Sequence, residues 1–458
     1  MKQTARTVAF QTLKRVYEDD AYTNVTLQHA LSTSQLAPRD KGLCTELVYG
    51  TVRRQLTLDV LLEPHVKRRL QALDVAVLTL LRMSVYQLAY LTRVPAYAVI
   101  DEAVNLAKVV ARRASGFVNG VLRSYLRDQL TLDERLYRWQ TKTHPDECQN
   151  LSIRHSYPGW MVQRLLSTYG SARTEAILAA GNEPLPLTLR VNPLRMNPAD
   201  AAAALEAVIG QDAVEPGQLS PQALRTKAAV DVEKLPLYSS GALTLQDEGA
   251  MLIAPLLQAK PGMRILDMCA APGGKTTHIA ELQQDQGEID AYDVYLQKVR
   301  NIQAACQRLG LQSVSARLGD AREIAAEDQL YDAVLVDAPC SGLGVMRRRP
   351  DLRYRRKEAD IASLVQLQQE LLLTACKVVR PGGVVVYATC TLLPEENQQV
   401  VQYVLQQLQG KVTLDDIKHE LPPMLHTEID KGLLLTPERF GTDGFYMARL
   451  RKQQEVTS

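Results

Sequence analysis

The residues best suited to chemistry stand at the ends of short apolar runs in the second half of the chain. One run closes in Leu266–Asp267–Met268–Cys269–Ala270–Ala271–Pro272–Gly273–Gly274–Lys275–Thr276–Thr277, a glycine turn opening a helix, where missing β-carbons let the backbone approach a bound small molecule. Gly274–Lys275–Thr276 matches the end of a G-x-x-x-x-G-K-[ST] phosphate loop, but Cys269 stands where its first glycine is required, and G-x-G-x-x-G fails as well. Roughly twenty residues on, a second run ends at Asp293, placed to accept from two ribose hydroxyls. Asp320, after a third run in Leu318–Gly319–Asp320–Ala321, is placed to accept from an adenine amino group. Together these strand ends read as a nucleoside pocket, although each Asp alone would read as a helix cap or turn residue.

A fourth run, Val334–Leu335–Val336–Asp337–Ala338–Pro339–Cys340–Ser341–Gly342, and a fifth, closing in Val386–Tyr387–Ala388–Thr389–Cys390–Thr391, each place a cysteine just past a strand end. Buried, inert cysteine is the ordinary reading, and it suits Cys306 and Cys376 in helical segments better than it suits Cys340 and Cys390. Between Val345 and Lys357 the cations Arg347, Arg348, Arg349, Arg353, Arg355, Arg356 and Lys357 form a run placed to grip phosphates, or else an exposed helix start.

The elements that must position these groups follow from periodicity. The runs Arg264–Met268, Gly287–Val294, Val314–Gly319, Tyr331–Asp337 and Gly383–Thr389 alternate with helical patterns near His278–Gln283, Leu296–Leu309 and Ile361–Val379. Such alternation specifies a parallel sheet with helices on both faces, whose ligands bind beyond the carboxyl ends of its strands. Residues 141–240 read as a small α+β module, with a helical piece around Trp160–Tyr169, a proline-bounded strand in Pro184–Pro193 and a helix from Asn197–Pro198 through Ala207. Residues 1–140 are helical almost throughout: Val99, Ala103, Leu106 and Val110 share one helix face, and the polar stretch Asp128–Pro145 leads out of the bundle. The catalytic part then occupies 241–458.

Composition sets the outer bounds. With 458 residues, 46% hydrophobic and 23% charged, the chain reads as a soluble protein of two or three domains. Its longest aliphatic stretches, such as Val75–Leu81, fall short of a membrane span, and the start Met1–Lys2–Gln3–Thr4–Ala5–Arg6 lacks an apolar secretory core, so a cytoplasmic location is expected. Seven scattered cysteines suit neither a disulfide framework nor zinc-finger spacing, and no metal is expected. Residues 1–140 hold 20 Lys plus Arg against 13 Asp plus Glu, while the whole chain carries a net charge of only +2, an asymmetry suited to a polyanion at the front end or to a solvated helical surface.

The segments Cys269–Lys275, Asp337–Gly342 and Ala388–Asn397 (ATCTLLPEEN) resemble the signature motifs of S-adenosylmethionine-dependent RNA cytosine-5 methyltransferases. With its helical front end, essentially the whole chain resembles the bacterial 16S ribosomal RNA cytosine-5 methyltransferase B family, also called RsmB or Sun. The resemblance implies a multidomain fold: an all-α bundle like the RNA-binding factor NusB, a small α+β RNA-binding module, and an α/β Rossmann-like methyltransferase domain. It implies S-adenosyl-L-methionine as methyl donor, 16S ribosomal RNA as partner, cytosine 967 in standard bacterial rRNA numbering as target, and a monomer.

It also implies roles. Cys269, Ala270, Ala271, Pro272, Gly273, Gly274, Lys275, Asp293, Asp320 and Asp337 would hold the methyl donor. Cys390 would be the nucleophile and Cys340 would assist release, the reverse of DNA cytosine-5 enzymes, which favours RNA. Because C5 of cytosine is a poor nucleophile, a thiolate must first add to C6. Cys390 would need help to ionise, from the donor's positive charge and the helix beginning near Pro394. Asp337 would hydrogen-bond the cytosine edge, and Lys275 would contact the base or its phosphate. The rival readings are a cytosine-5 methyltransferase of transfer RNA or another rRNA site, and an RNA-binding ribosome-assembly factor with a vestigial methyltransferase domain.

Overall fold

A computed structural model describes residues 3–227, 230–326 and 330–454; Met1 and Lys2, part of the start read above, lie outside the described residues. The chain forms two compact units, one of residues 1–182 with 348–355, the other of residues 183–347 with 356–458.

The first unit is helical. Ala5–Glu18, Thr23–Thr33, Pro38–Arg53, Gln55–Leu62, Val75–Tyr90, Ala96–Val110 and Ser115–Arg127 follow in order, with the 3₁₀ turns Glu63–His65 and Leu70–Ala72 between the fourth and the fifth. Val75–Tyr90 is apolar nearly all round and lies in the core, where Leu80, Leu81 and Met83 pack with Phe10, Leu13, Leu47, Val118 and Leu122. Val99, Ala103 and Leu106 are buried as their spacing requires, with Val110 partly so. The polar stretch after Asp128 holds a further helix, Leu132–Thr143, because Thr131 and Glu134 cap it reciprocally.

Residues 348–355 complete this unit, and they correct part of the phosphate-gripping expectation. Arg353 is fully buried. Its guanidinium donates to the carbonyls of Arg53 (3.0 Å) and Gly181 (2.9 Å), to Asn182 Oδ1 (2.9 Å) and to Tyr157 Oη (2.8 Å), and lies 3.6 Å from the centre of the Tyr157 ring. Arg355 is committed to Asp351 (3.2 Å) and Asp20 (3.1 Å). A guanidinium that is fully buried, or already paired with carboxylates, is not presented to phosphate, so these two arginines are structural. Arg349 remains exposed, and Arg348 is half-buried.

In the second unit a four-stranded antiparallel sheet comes first. Its strands β1 (Leu187–Val191), β2 (Val214–Pro216), β3 (Ala223–Thr226) and β4 (Leu243–Leu245) run in the order β2-β3-β1-β4. The helix Pro198–Ile209, capped by Asn197 with Pro198 at its first position, packs Ala201 and Leu205 against Leu189, Val191 and Leu224.

The larger sheet follows with β5 (Arg264–Asp267), β6 (Glu288–Asp293), β7 (Val314–Leu318), β8 (Tyr331–Asp337), β9 (Val379–Thr389), β10 (Val412–Leu414), β11 (Leu433–Leu435) and β12 (Phe445–Lys452). Strands β7-β6-β5-β8-β9 are parallel, as the alternation requires. Beyond β9 the sheet continues with antiparallel β12, which carries β10 and β11. The connection from β11 to β12 is too short for a parallel crossover, so that pair is antiparallel. Successive residues face opposite sides: Ile265, Ala333, Leu335 and Val386 pack under the helices Gly274–Leu282 and Leu296–Leu309, while Leu266, Val334, Val336 and Tyr387 pack under Asp360–Val378 and Gln398–Leu408. No helix among the described residues is long and apolar enough to cross a membrane.

Replacing Arg353 by Met removes the shared donor of these carbonyls while keeping apolar bulk. It should destabilise the protein by ~3 kcal/mol in urea unfolding, since several buried acceptors are left unpaired. A loss below ~1 kcal/mol would show that the carbonyls find other partners.

Candidate active site

The strand register sets the site. Asp267 at the end of β5 pairs with Leu335 of β8 and Ala291 of β6, and Asp337 at the end of β8 pairs with Ala388 of β9. The segments leaving these strands therefore emerge side by side at the carboxyl edge.

After β5, Gly273 has φ +102°, a conformation costly for other residues, and the helix Gly274–Leu282 begins directly behind it. A β-carbon on Gly274 would meet no atom within 4 Å, so the helix start faces open space. Ala270 N donates to Tyr292 O (2.9 Å), tying this turn to the end of β6. Asp293 is buried there, with Oδ1 accepting from Tyr295 N (3.1 Å) and Oδ2 lying 3.6 Å from Lys298 Nζ. Asp320 is engaged differently: Arg322 of its own loop holds its carboxylate at 2.6 Å and lowers its pKa. An adenine amino group would therefore compete with that guanidinium.

Two further pairs complete the centre. Lys275 Nζ lies 2.6 Å from Asp337 Oδ2, and 5.5 Å from the centre of the Phe445 ring. Burial alone would lower the Lys275 pKa, but the charge and hydrogen bond of Asp337, with the neighbouring Cys390, raise it, so Lys275 is a retained cation. Cys340 Sγ and Cys390 Sγ are 3.3 Å apart. Cys340 is buried, and its hydrogen bond to Cys390 together with burial pushes its pKa well up, whereas Cys390 is half-exposed. Either sulfur can donate across this contact, and burial sets the Cys340 thiol against ionisation.

Cys269, Lys275, Asp337, Cys340 and Cys390 thus come from the segments the motifs marked. Arg356 joins them by donating to Cys340 O (3.1 Å), and Lys357 is exposed; Arg347 is buried, with Nη2 3.5 Å from Pro437 O. Cys306 and Cys376 are buried away from any catalytic partner, and burial raises both thiols. The helix expected from Pro394 starts later: Pro394–Glu396 is a 3₁₀ turn, and the α-helix runs Gln398–Leu408.

The sequence matches three family models: 16S rRNA methyltransferase RsmB/F over residues 254–451, the NusB family over 3–127, and a ferredoxin-like domain of RsmF/B-like methyltransferases over 157–233. The chain is 35% identical to the probable ribosomal RNA small subunit methyltransferase B of Bacillus subtilis, covering 99% of this chain and 100% of that one. The chain belongs to the ribosomal RNA small subunit methyltransferase B family. Its likeness to the protein of the same probable function in Synechocystis is 37% over 98% of this chain and 99% of that one. In fold it matches the crystal structure of PH0851 with a TM-score of 0.81 at 23% identity, covering 99% of this chain and 100% of that one.

Membership makes the protein an S-adenosylmethionine-dependent methyltransferase. The residues present fit that group: the open face above Gly274, the buried carboxylate of Asp293 and the buried Asp267 Oδ1, with no hydrogen-bond partner within 3.5 Å among the described residues, line one edge of the sheet. Gly273, Gly274 and Asp293 would hold the donor, which supplies an electrophilic methyl group when bound.

Sequence reasoning assigned nothing to Arg190, Ser341, Gln368, Thr391 and Glu396, all fully buried. Arg190 of β1 binds both carboxylate oxygens of Glu281 (2.9 and 2.8 Å), Thr277 Oγ1 (3.0 Å) and Gly274 O (2.7 Å), anchoring the first turns of the helix behind the glycine loop. In sequence Arg190 stands at the polar position of the Leu187–Val191 alternation, on the face opposite Leu189 and Val191, so nothing local marked it as buried.

Burial raises the Asp267 carboxyl to about 7, against the hydrogen bond from Thr276. Stability from such a group is complete below its unfolded value of ~4 and is lost as pH rises through the folded value. Asp267→Asn stays neutral, so its stability relative to the parent should rise by ~2 kcal/mol between about pH 5 and about pH 8 in urea unfolding. A difference that does not change with pH would show that Asp267 ionises without penalty.

Proposed function

We propose that the protein methylates C5 of a cytosine in 16S ribosomal RNA, cytosine 967 by family resemblance, through a covalent adduct on Cys390. The observation that carries this reading is the 3.3 Å approach of Cys340 and Cys390 beside the Lys275–Asp337 pair. A single thiol would suffice for simple nucleophilic attack; two of unequal exposure suit a reaction in which sulfur must both add and leave.

In this reading the Cys390 thiolate bonds to C6, moving electron density to C5, which would take the methyl group as the donor's sulfur–methyl bond breaks and leaves a neutral thioether. A base takes the C5 proton, restoring the C5–C6 double bond as the C6–sulfur bond breaks and its electron pair returns to Cys390, and Cys340, 3.3 Å away, assists that departure. Lys275 and Asp337 offer a donor and an acceptor to the polar edge of the base. Nearby Lys275 also favours the Cys390 thiolate electrostatically. The ring must leave its stack to meet these groups. Arg349, Arg356 and Lys357 are the members of the cationic run left for phosphates, the small α+β module and the basic helical unit supply further RNA contact, and the enzyme works as a cytoplasmic monomer without metal.

Cys390→Ala should abolish methylation while retaining methyl-donor binding by calorimetry, and Cys340→Ala should accumulate a covalent protein–RNA species on denaturing gels. Turnover by Cys390→Ala would remove the nucleophile assignment. Bisulfite sequencing of ribosomal and transfer RNA from cells with and without the gene should show one gene-dependent 5-methylcytosine in 16S rRNA; gene-dependent sites confined to transfer RNA would overturn the target.

A further inference from the structure

The residue after each active-site cysteine carries a hydroxyl, Ser341 after Cys340 and Thr391 after Cys390, and both hydroxyls reach one carboxylate. Glu396 is fully buried. Its Oε1 accepts from Ser341 N (2.8 Å) and Gln368 Nε2 (3.0 Å), and its Oε2 from Ser341 Oγ (2.5 Å) and Thr391 Oγ1 (3.0 Å). The two hydroxyls are 2.8 Å apart. Gln368, from the helix Asp360–Val378, also donates to Pro339 O (2.9 Å) in the loop before Cys340. Tyr387 Oη donates to Glu396 O (2.6 Å), and Asn397 Nδ2 to Thr391 O (3.0 Å), fixing the turn that presents the carboxylate.

Every donor named here is neutral. Burying a carboxylate among neutral groups is costly unless its oxygens are well satisfied, and apolar residues of similar size would fill the space more cheaply. What the carboxylate adds is geometric. Two acceptor oxygens on one rigid plane bind two loops from different strands at fixed distances, each one residue from a catalytic sulfur.

We propose that Glu396 is a positioning residue that sets the separation of the Cys340 and Cys390 sulfurs by clamping their two loops to a single carboxylate. This rests on the assignment of those cysteines given above. Glu396 bonds the loops beside the sulfurs, and its negative charge raises the Cys340 pKa further.

The test reads the sulfur separation without RNA or methyl donor. Diamide takes two electrons and two protons from a pair of thiols, leaving a disulfide and a hydrazine, and the Cys340–Cys390 peptide pair is quantified by mass spectrometry. A disulfide needs close, well-oriented sulfurs, so the full-length protein should cross-link readily, Glu396→Gln, which keeps the reach, within about threefold of it, and Glu396→Asp, one methylene short, about tenfold more slowly. In methylation assays Glu396→Asp should lower kcat by about a hundredfold with little change in KM for RNA. Parental cross-linking in a folded Glu396→Asp protein would overturn the proposal. Should Glu396→Asp not fold, Thr391→Val removes only the strut to the Cys390 loop: cross-linking slowed severalfold supports the clamp, and the parental rate overturns it. Because this readout needs no turnover, it stands apart from the result for Cys390→Ala, which tests the nucleophile.

Discussion

Two sulfur atoms held 3.3 Å apart, one buried and one half-exposed, are the arrangement on which the rest of the second unit depends. Neither loop can achieve this alone. The parallel register of β8 and β9 brings Asp337 level with Ala388, so the chain leaves both strands at the same height. Close backbone approach then fixes the loops further: Gly344 N donates to Cys390 O (2.9 Å), Gly444 N donates to Gly344 O (2.8 Å), and a β-carbon on Gly344 would collide with the Gly444 backbone. Antiparallel β12 thus supports the catalytic edge as well as closing the sheet.

Buried polar groups recur wherever segments distant in sequence must keep a fixed relation. Glu396 joins the two cysteine loops, Arg190 joins β1 of the small sheet to the helix behind the glycine loop, and in the first unit Arg353 gathers carbonyls from separate turns. Each uses several convergent hydrogen bonds on one planar group, which specifies direction as well as distance. An apolar contact would bury as much surface without fixing orientation.

Much of the fold was legible because period is a local property. The parallel strands and the helices Leu296–Leu309 and Pro198–Ile209 follow from alternation, helical spacing and an Asn–Pro cap, and the cysteines of interest were marked by their place just past strand ends. The antiparallel edge strands were harder to read, since β10 and β11 are three residues long and carry little periodicity. The helix after Thr131 was passed over because its surface is polar, although its capping box was present in the sequence.

The cationic run shows the remaining limit. Seven positive side chains close together in sequence read as one phosphate-binding surface, yet Arg353 and Arg355 are consumed by carbonyls and carboxylates of the first unit, while Arg349 and Lys357 stay exposed. By itself the sequence determined the order of elements, the family and the residue types able to carry methyl transfer, because these depend on local pattern and motif. Only the tertiary structure decided which charges are free, which are buried as struts, and that Glu396 bridges two loops, because hydrogen-bond partners far apart in the chain are chosen by packing rather than by spacing.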